Sequence, residues 1–226
     1  MSPSQPPVGK LAFFLSLPLS LKLHYVGTFY YRLKAVLIYR VAFKHFGKGS
    51  YIRKPLLIAN PRFISIGNKV SIREGARLEV VVSNPNRTPE LFVGDNTGIE
   101  QNVHIACHSR VHIGSNVSIT PNCSIVDVSH PFEDIHDPRR TGLRIKDEDS
   151  FVEIGDGAFL GIGCVILPNV RIGKNAVIGA NSVVTRDVPD YSVVAGIPAA
   201  VIKQYNFQTE KWEKVSPVIA TPARMS

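Results

Sequence analysis

Between Asp127 and Arg140 the chain reads DVSHPFEDIHDPRR. His130 is the residue in that stretch best suited to moving a proton. Imidazole changes charge close to neutral pH, and a well-placed base of this kind speeds a reaction by about 100- to 10,000-fold. Pro131 biases His130 toward extended backbone, which suits a side chain held at a fixed angle. Asp127, Glu133 and Asp134 could each orient the ring, the part taken by the third group of a catalytic triad, although a corner loop is polar in any case. Arg139, Arg140, Arg144 and Lys146 make the stretch basic and suited to a phosphorylated or uronic-acid ligand. A second set, His104, His108 and His112, is spaced by four. On a helix that spacing would align three ligands; on strands the three need not share a face, and no metal site is expected.

At 226 residues the chain is one domain, with 44% hydrophobic and 19% charged residues, an ordinary globular balance. Three cysteines without a CxxC pair point to a reducing compartment and no disulfide framework. The apolar run Leu11 to Leu21 is interrupted by Pro18, lacks a cleavage site, and falls short of the roughly 20 residues needed to cross a bilayer. A cytoplasmic protein is expected. The net charge of +8 is concentrated in residues 22–54, which hold basic and aromatic residues but no acid. That pattern reads as a basic amphipathic helix, able either to pack on the domain or to give peripheral contact with the inner face of an anionic membrane. Nothing resembles a groove-reading motif, so nucleic acid is not an expected partner.

The elements that must position these residues follow from a strict repeat. Ile154, Leu160, Ile166, Ile172, Ile178 and Val184 are separated by six each time, and glycine follows the aliphatic at 155, 161, 173 and 179. Neither a helix nor a hairpin has that period; a hexapeptide parallel β-helix does. Three hexapeptides make one triangular coil, so Ile154 should stack on Ile172, Leu160 on Ile178 and Ile166 on Val184, about 4.8 Å apart. Upstream the same role falls to Ile66 and Ile72, to Val93, Ile99 and Ile105, and to Ile113, Ile119 and Ile125. Cys123 and Cys164 occupy small interior positions as buried thiols. Two insertions break the repeat: SNPNRTPE at 83–90, and the loop of about 127–151 that contains His130. The expected fold is all-β, a left-handed parallel β-helix over residues 56–203 with a protruding loop. It follows an N-terminal helical segment over 1–55 and precedes a tail over 204–226 that straps the prism or an adjacent subunit.

The segment IGDGAFLGIGCVILPNVRIGKNAVIGANSVVTRDVPDYSVVAGIPAAVIK (Ile154 to Lys203) resembles the C-terminal half of the hexapeptide-repeat acyltransferases. It is similar to the O-acetyltransferases of galactosides, maltose and bacterial surface polysaccharides. The more specific matches are the SHP tripeptide, the run GANSVVTRDVP and the closing AGIPAAVIK. Hexapeptides alone are shared with carbonic anhydrases and other proteins and would not fix a function. The resemblance implies a homotrimer with acetyl-coenzyme A in a groove between subunits. His130 matches the base that deprotonates an acceptor hydroxyl for direct attack on the thioester. Gly161, Ile162 and Ala180 match backbone contacts to the donor, Thr185 and Arg186 a pair near its nucleotide, and Lys203 a cation for its phosphates. Glu100 stands where sugar-specific relatives have an acceptor-holding asparagine, with Asn102 two residues on. The implied reaction is O-acetylation of a sugar in a surface polysaccharide or its precursor. The alternative is N-acetylation of a nucleotide-linked amino sugar on the same fold.

Overall fold

The computed structural model describes residues 10–215; residues 1–9 and the end of the expected tail, 216–226, lie outside them. Its body is a left-handed parallel β-helix with three faces. Face A stacks six parallel strands, from His45–Phe46 to Val170–Ile172. Face C stacks six, from Leu57–Ala59 to Val183–Val184. Face B runs from Tyr51–Ile52 to Ser192–Gly196 and continues into two further strands.

The expected stacking is observed residue by residue: Ile154 pairs with Ile172, Leu160 with Ile178, and Ile166 with Val184. These ladders are almost wholly sealed from solvent. Cys107, Cys123 and Cys164 lie among them as free thiols. The glycines that follow Ile154, Leu160, Ile172 and Ile178 answer to how closely the coils approach. A Cβ at Gly155 or Gly161 would stand 2.7 or 2.6 Å from the backbone nitrogen of Lys174 or Ala180 in the next coil. Corners turn on asparagines in the left-handed region, including Asn96, Asn102, Asn116, Asn122, Asn169, Asn175 and Asn181. Asparagine tolerates that backbone better than other side-chain-bearing residues. Its amide also joins coils, as in Asn96 to Asn116 at 2.8 Å.

Two expected boundaries move. The first coil starts at His45, inside the segment assigned to helix, because Phe46 and Ile52 extend the core ladders into it. Helix α1 (Lys10–Ser16) and helix α2 (Leu19–Lys34) precede it, and a π-helical turn, Ala35–Tyr39, continues α2. Tyr39, Phe43 and Phe46 pack with ring centroids 5.2 to 5.5 Å apart and close this end of the core. At the other end the last parallel strand stops at Gly196. Ala199–Asn206 and Lys211–Lys214 then form an antiparallel hairpin that widens face B, where a strap had been expected. Trp212 packs edge-on against Tyr205 in that hairpin.

Ile125 pairs with Ile105 and Ile166 in the coils on either side and is fully buried. Neighbouring coils cannot close the space that a truncation leaves. Ile125→Ala is expected to cost about 2–5 kcal/mol, read by denaturant unfolding. A loss below about 1 kcal/mol would show that the coils do collapse inward.

Candidate active site

The face C strand Ser124–Val126 leads into the long loop, and the following coil resumes at Phe151. Asp127 roots the loop. Its buried carboxylate accepts backbone N–H bonds from His108, Ser109 and Arg110 at the corner of the preceding coil. The arms are joined where Lys146 N donates to Ser129 O at 3.1 Å. The shorter insertion grips the base. Asn84 donates to Asp147 at 2.9 Å, and Arg87 meets Asp149 at 2.6 Å and the Asp147 carbonyl at 2.9 Å.

His130 is exposed near the start of this loop, and its Nδ1 lies 2.9 Å from the Arg144 carbonyl oxygen. A carbonyl only accepts, so Nδ1 carries the hydrogen and, in the neutral ring, Nε2 keeps its lone pair. None of the three acids expected to orient the ring does so. Asp127 is committed to the corner amides, Glu133 accepts from Phe132 N, and Asp134 accepts from His136 N. Arg144 is the centre of the loop. Its guanidinium donates to the carbonyls of Asp134, Asp137 and Arg139 at 2.6 to 2.9 Å, and its own carbonyl receives His130. Arg139 holds the Asp137 carboxyl well below its ordinary range, by hydrogen bonding first and charge second. Lys146 pairs with Glu148 at 3.0 Å. Most of the loop's cations are therefore engaged inside it, which sets aside the expectation of a free basic surface for an anionic acceptor.

A cavity of about 440 Å³ lies between this loop and face C. His130, His104, Arg77 and Glu79 supply its polar lining, with Val126 and Ile145 among its apolar contacts. Arg77 forks onto one oxygen of Glu79 at 3.0 and 2.6 Å. His104 stands beside Arg77 in register, and its buried Nε2 has no hydrogen-bond partner. Burial, then the Arg77 charge, lowers its pKa and so favours the neutral ring. Sequence reading missed His104 in this setting because it was weighed only with His108 and His112. The available signal was alternation: Val103 and Ile105 point inward, so His104 points out from the face that leads to His130. His108 is buried and meets Ser83 Oγ at 2.7 Å, while His112 stacks on Phe92 on face A.

The other expected site residues fall on separate edges. Glu100 and Asn102, Gly161 and Ile162, and Ala180 line the corner between faces B and C, with the coil of Ile119 between the first pair and the second. Ile162 and Ala180 are exposed and Gly161 is buried. Glu100 faces Arg73 at 3.5 Å, and the Asn102 amide joins the corner ladder through Asn122 at 3.3 Å. Thr185 and Arg186 are exposed after Val183–Val184, on the same edge of face C as the His130 loop. Lys203 is exposed in the added hairpin, opposite Val193. The chain thus brings His130 and His104 together, but puts the expected donor contacts on both sides of face C.

Residues 151–186 match the family model for the bacterial transferase hexapeptide of six repeats. A protein of Escherichia coli K12 that carries the name lipopolysaccharide biosynthesis O-acetyl transferase WbbJ is 35% identical over 167 residues, which is 72% of this chain and 83% of that one. The galactoside O-acetyltransferase of the same organism is 38% identical over 117 residues, which is 51% of this chain and 55% of its own length. Among solved structures, AntD, an N-acyltransferase from Bacillus cereus in complex with dTDP and 3-hydroxybutyryl-CoA, shares the fold with a TM-score of 0.61 at 20% identity, over 77% of this chain and 89% of that one. The chain belongs to the hexapeptide-repeat acetyltransferases.

Proposed function

We propose that this protein transfers an acetyl group from acetyl-coenzyme A to a hydroxyl of a sugar in a bacterial surface polysaccharide or its precursor, with His130 as general base. The observation that carries the reading is the His130 geometry: Nδ1 is engaged by the Arg144 carbonyl and the ring borders a cavity of sugar size. The name and coverage of the lipopolysaccharide O-acetyl transferase support a glycan acceptor.

In this reading the acceptor sits over Arg77, Glu79 and His104, groups that offer both donors and acceptors to hydroxyls. His130 Nε2 takes the hydroxyl proton as the oxygen attacks the thioester carbonyl. The tetrahedral intermediate then expels coenzyme A as the carbon–sulfur bond breaks. The imidazolium returns its proton to the departing thiolate, so no acyl-enzyme forms. A transfer of this kind gains most from fixed positions, which is what the Arg144 knot supplies.

The donor would lie along an edge of the prism and the site would be completed by another copy. Within one chain Gly161, Ile162 and Ala180 are on the edge across face C from Thr185, Arg186 and the His130 loop. A homotrimer that set one edge beside the next copy's loop would join them. It would also cover Phe132, Ile135 and Leu143, apolar loop side chains that a single chain leaves in water. Glu100 and Asn102 would reach the acceptor only in such an assembly, and Lys203 would attract the donor phosphates from the hairpin.

Release of coenzyme A thiol from acetyl-coenzyme A, measured with a panel of sugar and nucleotide-sugar acceptors, tests the transferase. His130→Ala is expected to lower kcat about 100- to 10,000-fold while donor binding persists. Acceptor-dependent release that survives this substitution would place the base elsewhere, and transfer confined to amino sugars would replace the hydroxyl acceptor with an amine. Arg144→Lys keeps the charge but not the fork onto three carbonyls. It should lower kcat by about tenfold or more with an unchanged KM for the donor. An unchanged kcat would show that the knot does not position His130.

A further inference from the structure

Helix α2 is packed with its less apolar side inward. Thr28, Tyr31 and Ala35 face the body, where Arg32 lies over the Tyr51 ring and Arg53 over the Tyr31 ring. The large apolar residues point away. Leu23 is 63% exposed, Phe29 68%, Leu33 47% and Leu37 66%, and no residue of Leu19–Lys34 is buried. A helix stabilised only by its own domain would show the opposite arrangement. Leu19, Leu23, Val26, Tyr30, Leu33 and Leu37 follow one another at steps of four and three, so the exposed residues form one continuous stripe.

Such steps also describe a coiled-coil seam, but two features turn the stripe away from another copy of the same helix. Twelve Lys and Arg and no Asp or Glu precede Glu74, and α2 itself carries Lys22, Arg32 and Lys34, so a paired helix would bring basic residues together with no acid to offset them. The turn Ala35–Tyr39 is π-helical, which shifts the register where a seam would have to continue. Tyr25, Phe29 and Val36 are exposed beside the stripe as well, making it broader than a seam. From Glu74 onward the 18 acids outnumber the 14 Lys and Arg, so the net positive charge comes from the N-terminal part of the chain. No helix among the described residues is long and apolar enough to cross a membrane.

We propose that helix α2 and its π-helical extension form a docking surface for an anionic lipid bilayer, lying in the plane of the interface. The apolar stripe enters the acyl boundary, Tyr25 and Tyr30 sit at headgroup depth, and Lys22, Arg40 and Lys48 meet lipid phosphates. Apolar burial supplies adhesion and the charge supplies preference for anionic lipid. A sugar acceptor carried on a lipid would then reach an enzyme held on the same surface.

The test is flotation of the full chain with vesicles of phosphatidylcholine alone and of phosphatidylcholine mixed with phosphatidylglycerol. Two variants accompany it: Val26→Ser, Leu33→Ser and Leu37→Ser combined, and Lys22→Gln with Arg40→Gln. All five residues are on the surface, and unchanged thermal unfolding would show both variants folded. The wild type is expected to float with the anionic vesicles and to be weakened by added salt. The triple-serine variant should lose more than about tenfold in partition, and the double-glutamine variant should lose preference for anionic lipid. No flotation of the wild type, equal binding to both vesicles, or flotation unaffected by the three serines would each overturn the proposal. So would a lower mass of the lipid-free assembly on introducing the serines, since the stripe would then belong to a second copy.

Discussion

The width of the prism interior is the constraint on which everything else rests. Each coil closes on three aliphatic side chains, and each of these touches its counterparts above and below through parallel strand pairing. There is no room for a larger side chain inside, nor for a side chain where the glycines let coils approach. A backbone held this tightly has little freedom to invent structure on its faces. Departures from the repeat are pushed out at corners, as chain that leaves one coil and returns to the next. The two insertions obey this rule, and both leave from the edge between faces C and A.

Their placement turns a repetitive scaffold into a single asymmetric site. Stacked coils put residues far apart in sequence side by side: Arg87 reaches Asp149, and Asp127 holds the amides of residues 108 to 110. The short insertion thereby stiffens the root of the long one. Within the long loop, rigidity comes from a guanidinium that gathers backbone carbonyls, while the carbonyl beside it fixes the imidazole. Sheet, corner and loop are three scales of one arrangement that limits where the His130 ring can be.

What the sequence made legible was whatever the interior dictates. A period of six survives in the aliphatic residues because any other spacing would put them on the wrong face, so stacking partners could be named in advance. His130 was singled out by the tripeptide around it. Its partner was not, since a backbone carbonyl leaves no signature, and three nearby carboxylates offered a more familiar answer. Asp127 shows the difficulty well: an acid three residues from a histidine suggests a dyad, yet burial and three amides claim it. The start of the coils at His45 was hidden because two-residue strands show too little of the period to be counted. The direction of helix α2 was hidden too, because apolar spacing shows that a stripe exists without saying whether it faces protein or water.

A stack of parallel strands also has a hazard at its ends, where unpaired backbone invites the same surface of another molecule to join and continue the column. At the N-terminal end the Tyr39, Phe43 and Phe46 cluster covers the exposed core. At the other, the hairpin of Ala199–Asn206 and Lys211–Lys214 reverses chain direction on face B and ends in a strand with Lys211, Glu213 and Lys214 exposed. A further parallel strand from a foreign chain would find there the wrong polarity and a row of charges. The hairpin thus limits column growth, and it keeps a fold built by repetition at a finite length.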